Sequence, residues 1–153
     1  MSVQLSTKTR YALRMLVDLA AHQSQGNVKI KDISQRQDIS LKYLEQIITI
    51  LSKAGYVRGE RGPLGGYCLS KDPKDITAAD IVMLIEGSVS PSPCIKCGVV
   101  DCPRSDYCTT VDLWKKVDVA VMDILSKTTL QDLLDDARRK NIIDVIDSPE
   151  YFI

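Results

Sequence analysis

"SLKYLEQIITILSKAGYVRGERGPLGGYCLS", residues 40–70, decides the fold. Its first half sets Leu44, Ile47, Ile48 and Leu51 at helical spacing behind Ser40, a residue type that caps helix starts. Gly55 stands where a left-handed residue ends a helix. The second half is a hairpin, with short strands over 56–58 and 67–70 and a turn carrying Gly62, Pro63, Gly65 and Gly66. A hairpin directly behind such a helix is a wing. Its tip is expected to present Arg58 and Arg61 on a backbone stripped of bulk, a shape suited to a DNA minor groove, where width and negative potential are read.

Upstream, Ser6 caps a helix to about residue 21, on which Ala12, Leu13, Leu16, Val17 and Ala20 recur at helical spacing. Gly26 and Asn27 break it. A short helix over 31–37 follows, with Ile30 and Ile33 inward, and "QDIS" turns the chain into the helix behind Ser40. Two short helices around a tight turn form a helix-turn-helix, whose second helix enters the major groove. The outward positions there are Lys42, Tyr43, Glu45, Gln46 and Thr49. These side chains can reach phosphates or base edges, and Glu45 can accept from a cytosine amino group. A plain helical core with a solvated face produces the same helix-turn-helix pattern; the hairpin argues against that reading.

Charge is uneven. The chain carries 20 Lys and Arg against 20 Asp and Glu, yet residues 1–71 hold eleven of the former and five of the latter, and residues 72–153 nine and fifteen. A basic first half joined to an acidic second half suggests that only the first touches a polyanion. At 44% hydrophobic and 26% charged residues the chain is an ordinary globular one. No apolar run approaches the roughly 20 residues of a membrane-spanning helix. "MSVQLSTKTRYALRML" lacks the apolar core and cleavage site of a secretory signal. The expectation is a cytoplasmic chain with no membrane partner and with reduced thiols.

Downstream, Thr77 and Asp80 read as a capping box for a helix over 77–86 that Gly87 ends. Residues 88–93, with two prolines, read as an irregular linker. Cys94, Cys97, Cys102 and Cys108 then fall in a loop over 88–108 with little apolar content, which needs a ligand to hold one shape. Soft thiolates select zinc, copper(I) or an iron–sulfur cluster. Structural zinc favours paired Cys-x2–4-Cys knuckles, and only Cys94 with Cys97 qualifies. An iron–sulfur cluster therefore comes first, structural zinc second and a redox-active thiol set third. Cys68, apart in the second wing strand, reads as a small buried hydrophobe. His22 reads as an ordinary helix-end residue.

From Thr109, Leu113, Val117, Ala120, Val121, Ile124 and Leu125 make an apolar stripe beside Trp114 on a helix over 109–126. Such a helix folds back on its own domain or meets a partner. The favoured reading is a homodimer that reads palindromic double-stranded DNA. Thr129 and Asp132 cap a last helix to about Lys140, and "NIIDVIDSPEYFI" packs as an ending. The expected fold is mainly α with a small β-hairpin wing: a winged helix-turn-helix domain over 1–75 and a helical region over 76–153. No phosphate-binding glycine loop and no nucleophile–histidine pair supports an enzyme.

"TKTRYALRML", "SLKYLEQIITILSKAGYV" and "RGPLGGY" resemble the winged-helix transcriptional regulators that include IscR, NsrR and CymR, over nearly the whole chain. The resemblance implies that Ser40, Lys42, Tyr43, Glu45 and Gln46 face the major groove, with Glu45 tuning base preference according to cluster state, and that Arg61 enters the minor groove. It implies a homodimer through the long helix, and a cluster held by Cys97, Cys102 and Cys108, [2Fe–2S] favoured over [4Fe–4S]. The implied function is a repressor that senses cluster status and controls cluster-assembly or cysteine-supply genes. A nitric-oxide or redox-responsive repressor using the same cluster is the alternative, as is a winged-helix regulator with structural zinc. Two positions depart from the pattern. Val111 stands where members with a [2Fe–2S] cluster often use histidine, and Arg10 where others supply an aspartate. Cys94 is then the extra thiol, either as fourth ligand or in competition with Cys97.

Overall fold

The computed structural model describes residues 4–96, 99–100 and 102–142. The Ser6 hydroxyl accepts from the Thr9 amide at 3.2 Å and starts α1, Thr7–His22. α2, Ile30–Gln37, ends on Asp38, whose left-handed φ of 54° reverses the chain. Ser34 Oγ donates to the Ile39 carbonyl at 2.5 Å and pins that turn. α3, Leu41–Lys53, starts on Ser40, which accepts from the Tyr43 amide at 3.2 Å, and Gly55 follows it at φ 84°. β1, Val57–Glu60, and β2, Gly66–Leu69, pair antiparallel, with Arg58 opposite Cys68 and Gly59 opposite Tyr67.

The wing has a further edge that the sequence reading did not include. Val28 exchanges both backbone hydrogen bonds with Tyr67, at 2.9 and 2.8 Å. This approach dictates Gly66, whose φ is +141° and where a Cβ would lie 2.6 Å from the Val28 carbonyl oxygen. Gly66→Ala is expected to break this edge, with a loss of about 1–3 kcal/mol for the strained backbone. Thermal denaturation measures the loss, and amide exchange at Val28 and Tyr67 localises it; full protection in the variant would contradict the assignment.

α1 is the spine of the core. Its Met15, Leu16 and Leu19 are fully buried in one cluster with Ile33 of α2, Leu44, Ile47 and Leu51 of α3, and Ile81 and Leu130 from later in the chain. One carboxylate sits at the edge of this core. Asp18 is 2% exposed, and Arg36 grips it with two nitrogens, Nε to Oδ2 at 3.0 Å and Nη2 to Oδ1 at 2.7 Å. Gln37 Nε2 donates to Oδ2 at 3.0 Å. His22, the last residue of α1, is buried as well, with Nδ1 2.8 Å from the Asp18 carbonyl oxygen. The last turn of α2 is thereby clamped to α1, which fixes the helix that precedes α3.

α4, Ala78–Glu86, and α6, Leu130–Arg139, each begin with a complete capping box, Thr77 with Asp80 and Thr129 with Asp132. The two boxes are stitched side by side: the Ala78 amide donates to the Thr128 carbonyl at 2.7 Å and the Leu130 amide to the Ile76 carbonyl at 2.9 Å. Between them the thiol segment is less irregular than expected. β3, Ile95–Lys96, pairs with β4, Val99–Val100, and a 3-10 turn covers Ser105–Tyr107. Strands of two residues are too short for any periodicity to announce. α5, Val111–Lys127, packs on α4 and splits the expected stripe into two rows. Val117, Val121 and Leu125 are half-buried, whereas Leu113 and Ile124 remain 52% and 66% exposed. Most of the closing segment, from residue 143, lies outside the described residues. Among the described residues no helix is long and apolar enough to cross a membrane.

Candidate nucleic-acid interface and thiol loop

α3 offers one polar face. Lys42, Glu45, Gln46 and Thr49 are exposed along it, and Ser40 caps its start. Tyr43 differs from its neighbours. It is half-buried and meets Tyr11 of α1 edge to face, with ring centroids 5.7 Å apart, so its ring braces the two helices while its edge stays accessible. The Arg14 guanidinium lies 5.3 Å from the Tyr11 ring centroid and donates to the Gln37 side chain and carbonyl. The start of α3 is therefore held by aromatic and cationic contacts as well as by its cap.

At the wing tip Arg61 precedes Gly62, which has φ 106°. Gly65 is equally constrained, since a Cβ there would lie 2.4 Å from the Glu60 carbonyl oxygen. Asn27 Nδ2 donates to Glu60 Oε2 at 2.9 Å and to the Leu64 carbonyl at 3.2 Å, tying the tip to the turn behind α1. Arg58 is not at the tip, contrary to expectation. It lies in β1 opposite Cys68 and donates from Nε to Cys68 Sγ at 3.1 Å. Cys68 is half-buried, so the reading of an enclosed hydrophobe is also corrected: its strand face is the outward one, and the thiol serves as a weak acceptor. Sequence reasoning missed Leu64, 90% exposed beside Arg61. An apolar residue among turn glycines was the available signal, and such a side chain suits a wedge against a base step.

Four described cysteines, Cys68, Cys94, Cys102 and Cys108, are free and half-buried. Cys97 lies outside the described residues. Cys108 Sγ lies 3.5 Å from Thr110 Oγ1, and hydrogen bonds from Thr110, with lesser help from the Val111 amide and the Arg104 charge, pull its thiol below the usual range toward thiolate. Among the described residues no three His, Cys, Asp or Glu side chains converge as a metal site. The donor set still fits an iron–sulfur cluster in chemical type, because Cys94, Cys102 and Cys108 are accessible free thiols in one short segment, the last of them lowered toward the ligating form.

The helix that leads into the segment is tied to the start of α1. Glu86, at the end of α4, accepts from Thr9 Oγ1 at 2.6 Å and from the Ser6 amide at 2.7 Å. The Thr9 hydroxyl, with lesser help from Ser6, holds its carboxyl below the usual range. The thiol segment thus leaves from a helix end bonded to the cap of α1.

A family model described as "Iron-dependent Transcriptional regulator" matches residues 5–136. The chain belongs to the Rrf2 family. A relative named protein rrf2, from Nitratidesulfovibrio vulgaris, is 42% identical over 88% of this chain and 89% of its own length. The HTH-type transcriptional regulator IscR of Photorhabdus laumondii is 37% identical over 94% of this chain and 84% of its own. Among solved structures, CymR, the global cysteine regulator of B. subtilis, is similar at a TM-score of 0.73 and 36% identity, covering 86% of this chain and 96% of that one. T. potens IscR is similar at 0.69 and 36%, covering 88% of each. The winged-helix fold and the resemblance to this family are borne out. Rrf2 proteins are DNA-binding transcriptional regulators and not enzymes, and this chain is an Rrf2/IscR-type transcriptional regulator.

Proposed function

We propose that this Rrf2 regulator binds palindromic double-stranded DNA as a cytoplasmic homodimer and represses genes for cluster assembly or cysteine supply according to the state of a cysteine-held iron–sulfur cluster. Ser40, Lys42, Tyr43, Glu45 and Gln46 of α3 meet the major groove, with Glu45 setting base preference, while Arg61 at the wing tip enters the minor groove. Arg58, at the base of the wing, is left for phosphates rather than bases. Cys97, Cys102 and Cys108 hold the cluster, [2Fe–2S] in preference to [4Fe–4S], and Cys94 supplies the fourth ligand or competes with Cys97.

When bound, the cluster supplies an occupancy that depends on iron, oxygen and nitric oxide. The chain's part is to make that occupancy count. Thr110 favours the thiolate of Cys108, and Glu86 passes the position of the segment to Ser6 and Thr9 at the start of the reader. Occupancy then shifts the population of readers able to bind, through its differential affinity for the two states. The observation that carries this reading is the run of free thiols issuing from a helix end hydrogen-bonded to α1. Anaerobic purification with iron and sulfide assay, followed by binding to a promoter panel with and without cluster, tests it. Brown protein bleached by nitric oxide with altered binding supports it. Colourless protein with stoichiometric zinc replaces it with a structural-zinc regulator.

The dimer reading rests on the exposed row of α5. Ile124→Glu is expected to yield monomer in light scattering at concentrations where the parent chain is dimeric, and to weaken operator binding by at least tenfold through the lost second half-site. A dimer that persists with unchanged affinity would move the interface elsewhere. Arg61→Ala is expected to weaken duplex binding and to reduce the salt slope by about one phosphate-equivalent. Unchanged affinity and slope would remove the wing tip from the interface.

A further inference from the structure

Strand alternation divides the wing. Gly59 and Tyr67 share one face with the groove that runs past Arg61, whereas Arg58 and Cys68 share the other. On this second face a groove of about 790 Å³ lies between the exit of α1, the wing, a 3-10 turn at Pro73–Asp75 and α6. Three cations line it, each from a different segment: Arg58 of the wing, Lys74 of the turn and Arg138 of α6. Among the described residues none of the three forms an ion pair. The end of α6 gives the contrast. Arg139 and Lys140 both pair with Asp136, at 2.5 and 2.9 Å, while Arg138 turns into the groove. The groove's own carboxylate, Asp72, is already engaged, accepting from the Lys74 amide at 2.9 Å, and Ser24 adds a hydroxyl.

Cations that converge in a concave polar site repel one another and focus a positive potential, and the groove offers too little acid to offset it. An oxyanion does so with hydrogen bonds, two of which a guanidinium fork can make in parallel. We propose that this groove binds a phosphate group, carried either by a small phosphorylated compound or by DNA backbone beside the wing. Arg58 is part of β1, so a phosphate held here restrains the wing and alters duplex affinity. That consequence rests on the wing-tip reading proposed above. It also brings the acidic half of the chain, through Lys74 and Arg138, into contact with a polyanion or its small mimic.

The test uses the full chain and pyrophosphate as probe. Thermal denaturation at constant ionic strength compares the parent with Arg138→Ala, Lys74→Ala and the control Arg139→Ala. Pyrophosphate should raise the melting temperature of the parent and of Arg139→Ala by several degrees, with half-saturation at least tenfold weaker in the other two. A salt titration of binding to a fluorescein-labelled mixed-sequence duplex separates the sources. A slope smaller by about 0.9 in Arg138→Ala identifies a DNA phosphate, and an unchanged slope with the pyrophosphate effect intact identifies a free one. Equal pyrophosphate shifts in all four proteins, or none, with unchanged slopes would overturn the site. Arg61→Ala, run alongside, keeps the two readings apart: if it alone leaves duplex binding untouched, the wing-tip reading fails while the pyrophosphate result stands.

Discussion

Asp18→Ala is expected to destabilise the chain by about 3–5 kcal/mol, because it leaves the charge of Arg36 beside a buried gap with no carboxylate to meet it. A domain of this size is stable by only about 5–15 kcal/mol, so the variant should melt many degrees lower and expose the α1–α2 contact to proteolysis. The effect should reach DNA binding as well, since Arg36 and Gln37 both clamp α2 through this carboxylate. Asp18→Asn keeps the shape, removes the charge and should recover part of the loss. Two variants as stable as the parent would show that the clamp contributes nothing.

The same group sets the acid limit. Burial alone would raise the Asp18 pKa, but hydrogen bonds from His22, Arg36 and Gln37 outweigh it and bring the value down to about 2. Because the folded value lies below the unfolded one, the stabilisation is complete above the ordinary value of 3.8 and disappears as pH falls through about 2. It amounts to about 2 kcal/mol. His22 acts with the opposite sign. Its bond to Asp18 raises its pKa, against the opposing effect of burial, so its contribution is complete below about pH 6.5 and is lost as pH rises through the folded value. Unfolding free energy followed from pH 2 to 8 should show a steeper acid-side slope in the parent than in Asp18→Asn, where the depressed carboxyl of Glu86 still titrates.

The second large effect belongs to the thiols. Cys102→Ser and Cys108→Ser should each abolish cluster absorbance and the cluster-dependent change in operator affinity while leaving the fold intact, as judged by far-ultraviolet circular dichroism. Cys68→Ser, on the wing and distant in sequence, should retain both. Cys94→Ser decides the extra thiol: loss of a stable cluster makes Cys94 a ligand, and a full stable cluster makes it dispensable. If neither Cys102→Ser nor Cys108→Ser changes iron and sulfide content, the sensing proposal fails.

What could be read in advance was local. Ser40 and Gly55 bracket α3, and Thr77 with Asp80 starts α4, because caps are decided by backbone groups within one helical turn. The glycines of the wing announced a tight turn for the same reason. Contacts that close over long stretches of chain left no trace. Val28 meets Tyr67, Asp18 meets Arg36 and Ser6 meets Glu86 only once the helices have packed. The misplacement of Arg58 comes from ending the first strand at 58, whereas β1 runs on to Glu60 and pairs Arg58 with Cys68, which moves the tip beyond it. For the candidate site, the outward face of α3 was legible from helical phase, apart from the partial burial of Tyr43 on Tyr11. The thiol segment was legible as a cluster of cysteines in sequence, but not as a place with its own short hairpin.

The paired starts of α4 and α6 have a further consequence. The thiol segment and α5, threaded between the end of α4 and Thr128, are closed at their base by α4 and one hydrogen-bonded seam. An excursion sewn shut at its base can be lengthened, shortened or exchanged without respecifying the architecture beneath it. The chain is in that sense a socket: a loop of different chemistry can be spliced into the outward excursion while the same underlying domain continues to fold.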